Sequence, residues 1–105
     1  MEKLVRDLIP AIIEESGKQC NWRYVGSKTE HIELLIKKLE EEARELTAAI
    51  SFDEVKEEAG DLFEVFSSLL TITGVSLEEA RSSANKKCMS RGGFMSGIVL
   101  ELDER

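Results

Sequence analysis

Leu35-Ile36-Lys37-Lys38-Leu39-Glu40-Glu41-Glu42-Ala43-Arg44-Glu45-Leu46-Thr47-Ala48-Ala49 carries the first clear periodicity in the chain. Counting by threes and fours selects Leu35, Leu39, Glu42, Leu46 and Ala49, the stripe that a 3.6-residue helix turns toward a core. Glu42 stands in that stripe among apolar residues. The next helical stretch repeats the pattern, with Val55, Glu58, Leu62, Val65, Leu69 and Ile72 on one face, so Glu58 also interrupts a seam. Three residues after each acid comes another, Glu45 after Glu42 and Asp61 after Glu58, projecting from a neighbouring turn of the same side. Each helix therefore presents a carboxylate pair, whereas Glu40, Glu41, Glu57 and Glu64 fall mainly toward outer, solvated faces.

Around these helices the sequence supplies its own punctuation. Ser-x-x-Glu occurs at Ser27/Glu30, Ser51/Glu54 and Ser76/Glu79, where the hydroxyl and the carboxylate can satisfy the orphan N–H groups of a first turn reciprocally. Helices are expected from Ser27 to about Ile50, from Ser51 to Thr73 before Gly74, and from Ser76 to about Ser90 before Gly92-Gly93. Pro10 opens a short helix through Glu15 that Gly17 closes, since a missing N–H costs nothing in a first turn. The aromatic and β-branched run Asn21-Trp22-Arg23-Tyr24-Val25 predicts a short strand, and the alternating tail Phe94–Leu102 predicts a second that could pair with it. Trp22, Tyr24, Met89 and Met95 read as packing residues. The fold class is mostly α, a small helical bundle with a short two-stranded element, in one domain spanning residues 1–105.

Composition bounds the function. The chain has 105 residues, 42% hydrophobic and 33% charged, a globular mixture rather than a disordered one. A core of this size covers only part of its surface, so oligomerisation is open to the chain. A net charge of -7 argues against a phosphate-backbone footprint, so nucleic acid is not an expected partner. No stretch has the length and apolarity of a membrane span or a signal peptide, and Cys20 and Cys88 show no metal or disulfide spacing. A cytoplasmic protein with reduced thiols and no membrane partner is the expectation.

Ionised carboxylates in an apolar seam are costly, and like charges at close range repel, so the group demands protonation or a cation. All-oxygen ligation favours hard cations, and Mg²⁺ (with Mn²⁺ as a substitute) leaves positions for water and phosphate. The plainer reading makes Glu42 and Glu58 a wet edge, salt-bridged to Lys38, Arg44 or Lys56. Repetition of the i,i+3 pair on successive helices favours the metal. A di-iron carboxylate site would need Glu-x-x-His on two helices, and His31 is the single histidine.

Glu41-Glu42-Ala43-Arg44-Glu45 followed by Glu58-Ala59-Gly60-Asp61 resembles the EExxE and ExxD motifs of the MazG-like nucleotide pyrophosphohydrolases. Lys3-Leu4-Val5-Arg6-Asp7-Leu8-Ile9-Pro10 resembles the KLVRDxIP opening of a small-protein branch, and Arg91-Gly92-Gly93-Phe94 its RGGF close. The resemblance implies an all-α NTP pyrophosphatase fold, assembled as a homodimer or homotetramer so that helices of two or more subunits complete the bundle, and Mg²⁺-dependent cleavage of a nucleoside triphosphate to monophosphate and pyrophosphate. It implies Glu42, Glu45, Glu58 and Asp61 as metal ligands. Glu41, Glu42 and Glu45 are then the candidates to orient the attacking water. Lys3, Arg6, Lys87 and Arg91 are the expected substrate-binding cations, with Asn85 a candidate contact to sugar or base. Phosphoribosyl-ATP as the substrate, or a silent Mg²⁺-binding interaction module, are the alternatives.

Overall fold

The computed structural model describes residues 1–102. The chain divides into two units, Met1–Gly74 and Val75–Arg105. Among the described residues there are four helices: α1 (Ile9–Glu15), α2 (Lys28–Ala48), α3 (Phe52–Thr73) and α4 (Leu77–Arg91). The mostly-α class is therefore the observed one.

The serine caps start three of these helices as their spacing predicts. Ser27, Ser51 and Ser76 each accept the N–H of the residue three positions on, at 3.1, 3.1 and 3.0 Å. Only at Ser76 is the box reciprocal, with the Ser76 N–H donating to Glu79 Oε1 at 2.9 Å. Glu30 and Glu54 reach one residue further back, accepting from the Gly26 and Ile50 N–H groups at 2.6 and 3.4 Å. At the other end of α3, Gly74 takes φ 86°, a left-handed C-cap that a side chain disfavours.

In the first unit, α2 and α3 pack together, joined by the short turn at Ala49–Ser51. The pairing runs antiparallel, because Glu45 meets Glu58 while Glu42 faces Asp61. The predicted α2 stripe does turn inward: Leu35 is 4% exposed and Glu42 6%, with Leu39, Leu46 and Ala49 half-buried. Burial is thin, for among the described residues Leu35 is the only buried hydrophobic side chain and none is fully buried. Phe63 and Phe66 of α3 remain 55% and 37% exposed, and with Leu39, Ala59 and Leu62 they line an open apolar depression of about 420 Å³.

The expected two-stranded element does not form; no strand occurs among the described residues. A two-stranded ribbon is marginal on its own, and the Trp22–Val25 segment is held through side chains instead. Arg23 is drawn into ion pairs, and Trp22 and Tyr24 meet edge to face with ring centroids 5.2 Å apart. The packing role expected of Trp22, Tyr24, Met89 and Met95 is also corrected, since all four lie largely exposed. The aromatic pair covers mainly itself, and the methionines fill no gap.

In the second unit, α4 closes with the Gly92 N–H donating to the Cys88 carbonyl at 2.8 Å. Gly92-Gly93 is thus the predicted helix stop.

Candidate functional site

The carboxylates singled out from the sequence converge in the first unit. Glu42, Glu58 and Asp61 bring one oxygen each within 4.8 Å of one another, and so do Glu41, Glu42 and Glu45. Glu42 belongs to both groups and joins them. The two helices achieve this because an i,i+3 pair on α2 lies beside an i,i+3 pair on an antiparallel α3.

Glu41 departs from its expected outer-face position. It is half-buried, with Lys3 Nζ donating to its Oε1 at 2.8 Å and Lys38 Nζ 4.0 Å from its Oε2. The hydrogen bond from Lys3 holds the Glu41 carboxyl below its ordinary range and holds the Lys3 ammonium above its own.

Glu42 and Glu58 behave oppositely. Burial first, then the neighbouring carboxyl of Glu45, pushes both above the usual carboxylate range. Lys38 Nζ stands 3.7 Å from Glu42 Oε1, beyond hydrogen-bond reach, and that partly meets the wet-edge reading. Yet Glu42 Oε2 and Glu58 Oε2 are buried with no partner. A buried carboxylate oxygen without a donor is expensive. The donor set is entirely oxygen and anionic, so the residues fit a hard divalent cation. Two converging carboxylate groups with orphaned oxygens are what such an ion would complete.

The N-terminal segment reaches the same helices. Besides Lys3 on Glu41, Arg6 donates from Nη2 to Asp61 Oδ1 at 2.9 Å and brings Nη1 within 3.7 Å of Glu64 Oε1. Lys3 and Arg6, expected to face phosphate, stand on cluster carboxylates. Asn85, Lys87 and Arg91 lie on α4 in the second unit, all exposed.

Sequence reasoning missed Arg23. Its guanidinium binds Glu2 at 3.1 and 3.0 Å and Glu30 at 3.0 and 2.8 Å. The available signal was a charge set between two aromatics in an extended run, where alternation sends it to the face opposite theirs.

A sequence model of the phosphoribosyl-ATP pyrophosphohydrolases matches residues 5–87, a span that crosses Gly74 and includes every carboxylate of the cluster. No curated protein and no solved structure matches the chain. No single helix among the described residues is long and apolar enough to cross a membrane. The match covers well over half of the chain and coincides with the carboxylate motifs, so the chain belongs to the phosphoribosyl-ATP pyrophosphohydrolase family of the MazG-like all-α NTP pyrophosphatases, whose members are pyrophosphohydrolases of nucleotide-type substrates.

Proposed function

We propose that the protein hydrolyses a nucleoside triphosphate to its monophosphate and pyrophosphate with Mg²⁺, or Mn²⁺ in its place, held by Glu42, Glu45, Glu58 and Asp61. The observation carrying this reading is the pair of orphaned buried oxygens, Glu42 Oε2 and Glu58 Oε2, inside converging carboxylate groups. A cation bound there would supply neutralisation of the phosphate oxygens and a more acidic bound water. The side chains do the rest by position. Lys3 and Arg6 offer charge-assisted hydrogen bonds to the phosphates from the rim of the group. A carboxylate not fully occupied by the cation would orient the attacking water, with Glu41, Glu42 and Glu45 as the candidates. For Asn85, Lys87 and Arg91, the proposed contact with substrate rests on the terminal motif alone.

The match to the phosphoribosyl-ATP family favours a second reading, in which the same linkage is cut in phosphoribosyl-ATP. The KLVRDxIP and RGGF motifs tilt the proposal toward a free nucleoside triphosphate used in cleansing the nucleotide pool.

The apolar depression at Leu39, Leu62, Phe63 and Phe66, together with a first unit that buries little, supports a homodimer or homotetramer. We place the protein in the cytoplasm, without nucleic-acid or membrane partners, as a single functional domain. Pyrophosphate release from a panel of nucleoside triphosphates plus phosphoribosyl-ATP, with Mg²⁺ or chelator, tests the reading. Metal-dependent release from a triphosphate is expected. Release from phosphoribosyl-ATP alone selects the second substrate, and Mg²⁺ binding without release from any compound leaves an interaction module.

A further inference from the structure

We propose that Arg23 is a positioning residue: it anchors the N-terminal segment to the first turn of α2, so that Lys3 and Arg6 stay at the rim of the carboxylate group when a cation and phosphate occupy it. The substrate side of this inference rests on the function proposed above.

Residues 1–6 have no regular structure, and the first backbone bond after them runs from the Ile9 N–H to the Arg6 carbonyl at 3.1 Å. Among the described residues, side chains hold this segment at three places. Lys3 sits on Glu41 and Arg6 on Asp61 and Glu64. The third is Glu2, gripped by Arg23.

The first two holds end on carboxylates of the site or beside it. A cation drawing on Asp61 takes away the strongest partner of Arg6, and phosphate competes with Glu41 for Lys3. Only the Glu2 hold is independent of what the site contains.

Its geometry suits an anchor. Arg23 spends five N–H donors on five hydrogen bonds: Nε and Nη2 to Glu2, Nη1 and Nη2 to Glu30, and Nη1 to the Tyr24 carbonyl at 3.1 Å. Two forked carboxylates on one guanidinium fix direction as well as distance. Glu30 is fixed in turn by the Gly26 N–H at 2.6 Å in the capped first turn of α2. That helix also carries Glu41, Glu42 and Glu45, so the anchor and the site share one rigid rod. From Glu2, the four residues to Arg6 span at most about 14 Å. The leash is short, and it keeps the effective concentration of both cations high. Surface ion pairs contribute little to stability, so the consequence of this one is geometric.

The test uses the full-length chain with Mg²⁺ and inorganic pyrophosphate, the product common to either substrate. Arg23→Gln is expected to weaken pyrophosphate binding about tenfold, the size of one lost charge-assisted contact, and to lower the backbone NMR order parameters of Lys3–Leu8. Mg²⁺ affinity and order parameters in the later turns of α2 should stay as in the wild type. Arg23→Lys, which keeps the charge but lacks the fork, should fall between. In a Lys3→Met/Arg6→Gln background, Arg23→Gln should weaken pyrophosphate binding no further, because the residue acts through those cations. Unchanged order parameters at Lys3–Leu8 in Arg23→Gln, or a full additional loss in that background, overturns the proposal. A wild-type chain that neither binds nor releases pyrophosphate overturns the hydrolase reading and the substrate side of this inference together, whereas normal binding with unchanged order at Lys3–Leu8 removes Arg23 alone.

Discussion

Glu2 and Glu30 around Arg23, and Glu42 and Glu58 in the seam between α2 and α3, are two carboxylate pairs in one unit. Their electrostatics are opposite. The first pair closes on a guanidinium, and hydrogen bonding to Arg23 holds Glu2 low and drops Glu30 to about 2. The second pair has burial and further carboxylates for company, and both members are held high. Arg23 completes the first pair within the chain, which leaves it nothing to recruit. Lys38, 3.7 Å from Glu42, meets only part of the second pair's need for positive charge, and the remaining deficit points outside the chain. Acidic content alone does not separate a brace from a ligand site; the buried oxygens without partners do.

The comparison breaks most sharply under neutralising substitutions. Glu58→Gln should reduce pyrophosphate release by about a hundredfold or more, as expected when a preorganised charge at the reacting phosphates is lost. Its thermal midpoint should hold or rise, because one repelling charge has gone. Glu30→Gln should leave kcat nearly intact and lower the midpoint only slightly, because an exposed ion pair contributes little to stability. Its main effect should be weaker pyrophosphate binding through the loosened Arg23 clasp. Full turnover in Glu58→Gln would remove the seam from the site. A divalent cation sharpens the same contrast: at a hundred times its Kd, Mg²⁺ should stabilise the wild type by about 2.7 kcal/mol. Scanning calorimetry with Mg²⁺ and with chelator should show that gain shrinking in Glu58→Gln and persisting in Glu30→Gln.

Much of this contrast was legible in the sequence, but unevenly. Periodicity placed Glu42 and Glu58 in their seams because a helix repeats every 3.6 residues whatever surrounds it, and the Ser-x-x-Glu spacing located three helix starts for the same local reason. Glu41 was misplaced, because its environment depends on Lys3, a residue remote in sequence whose approach no periodicity reports. The clasp was invisible for a like reason: Arg23 joins Glu2 to Glu30 through side chains alone. The Trp22–Val25 run failed as a strand because β propensity reflects packing on a sheet, and the described residues contain no sheet.

Acid separates the two pairs through linkage. Glu30 lies at about 2 in the folded chain against 4.5 ordinarily, so its contribution is complete above pH 4.5 and fades as pH falls toward 2. Glu42 and Glu58 are raised in the folded chain. Above their folded pKa both are charged and cost stability; as pH falls through it toward 4.5 they take up protons that the unfolded chain does not yet bind, and stability recovers. With chelator present, Glu58→Gln should flatten the gain on the approach to pH 4.5, and Glu30→Gln should flatten the loss below it. Urea midpoints measured across this range check both signs. A gain that survives in Glu58→Gln would assign the raised titration to Glu42 alone.

The smallest expected effect lies between the two acids of α3. Gly60 sits mid-helix between Glu58 and Asp61, and a Cβ built there meets no atom within 4 Å. In an exposed helix interior, Gly→Ala stabilises by about 0.5–1 kcal/mol, because glycine loses more backbone freedom on folding. Gly60→Ala should therefore raise the thermal midpoint by a few degrees for a chain of this size, without changing Mg²⁺ affinity. A second copy or a bound nucleotide passing close to this turn would reverse the sign wherever the methyl is in the way. The midpoint of Gly60→Ala, taken dilute, concentrated, and with Mg²⁺ and pyrophosphate, thus reports what approaches the seam: a rise in all three leaves the turn open, a loss confined to high concentration puts a subunit there, and a loss confined to added pyrophosphate puts the phosphates there.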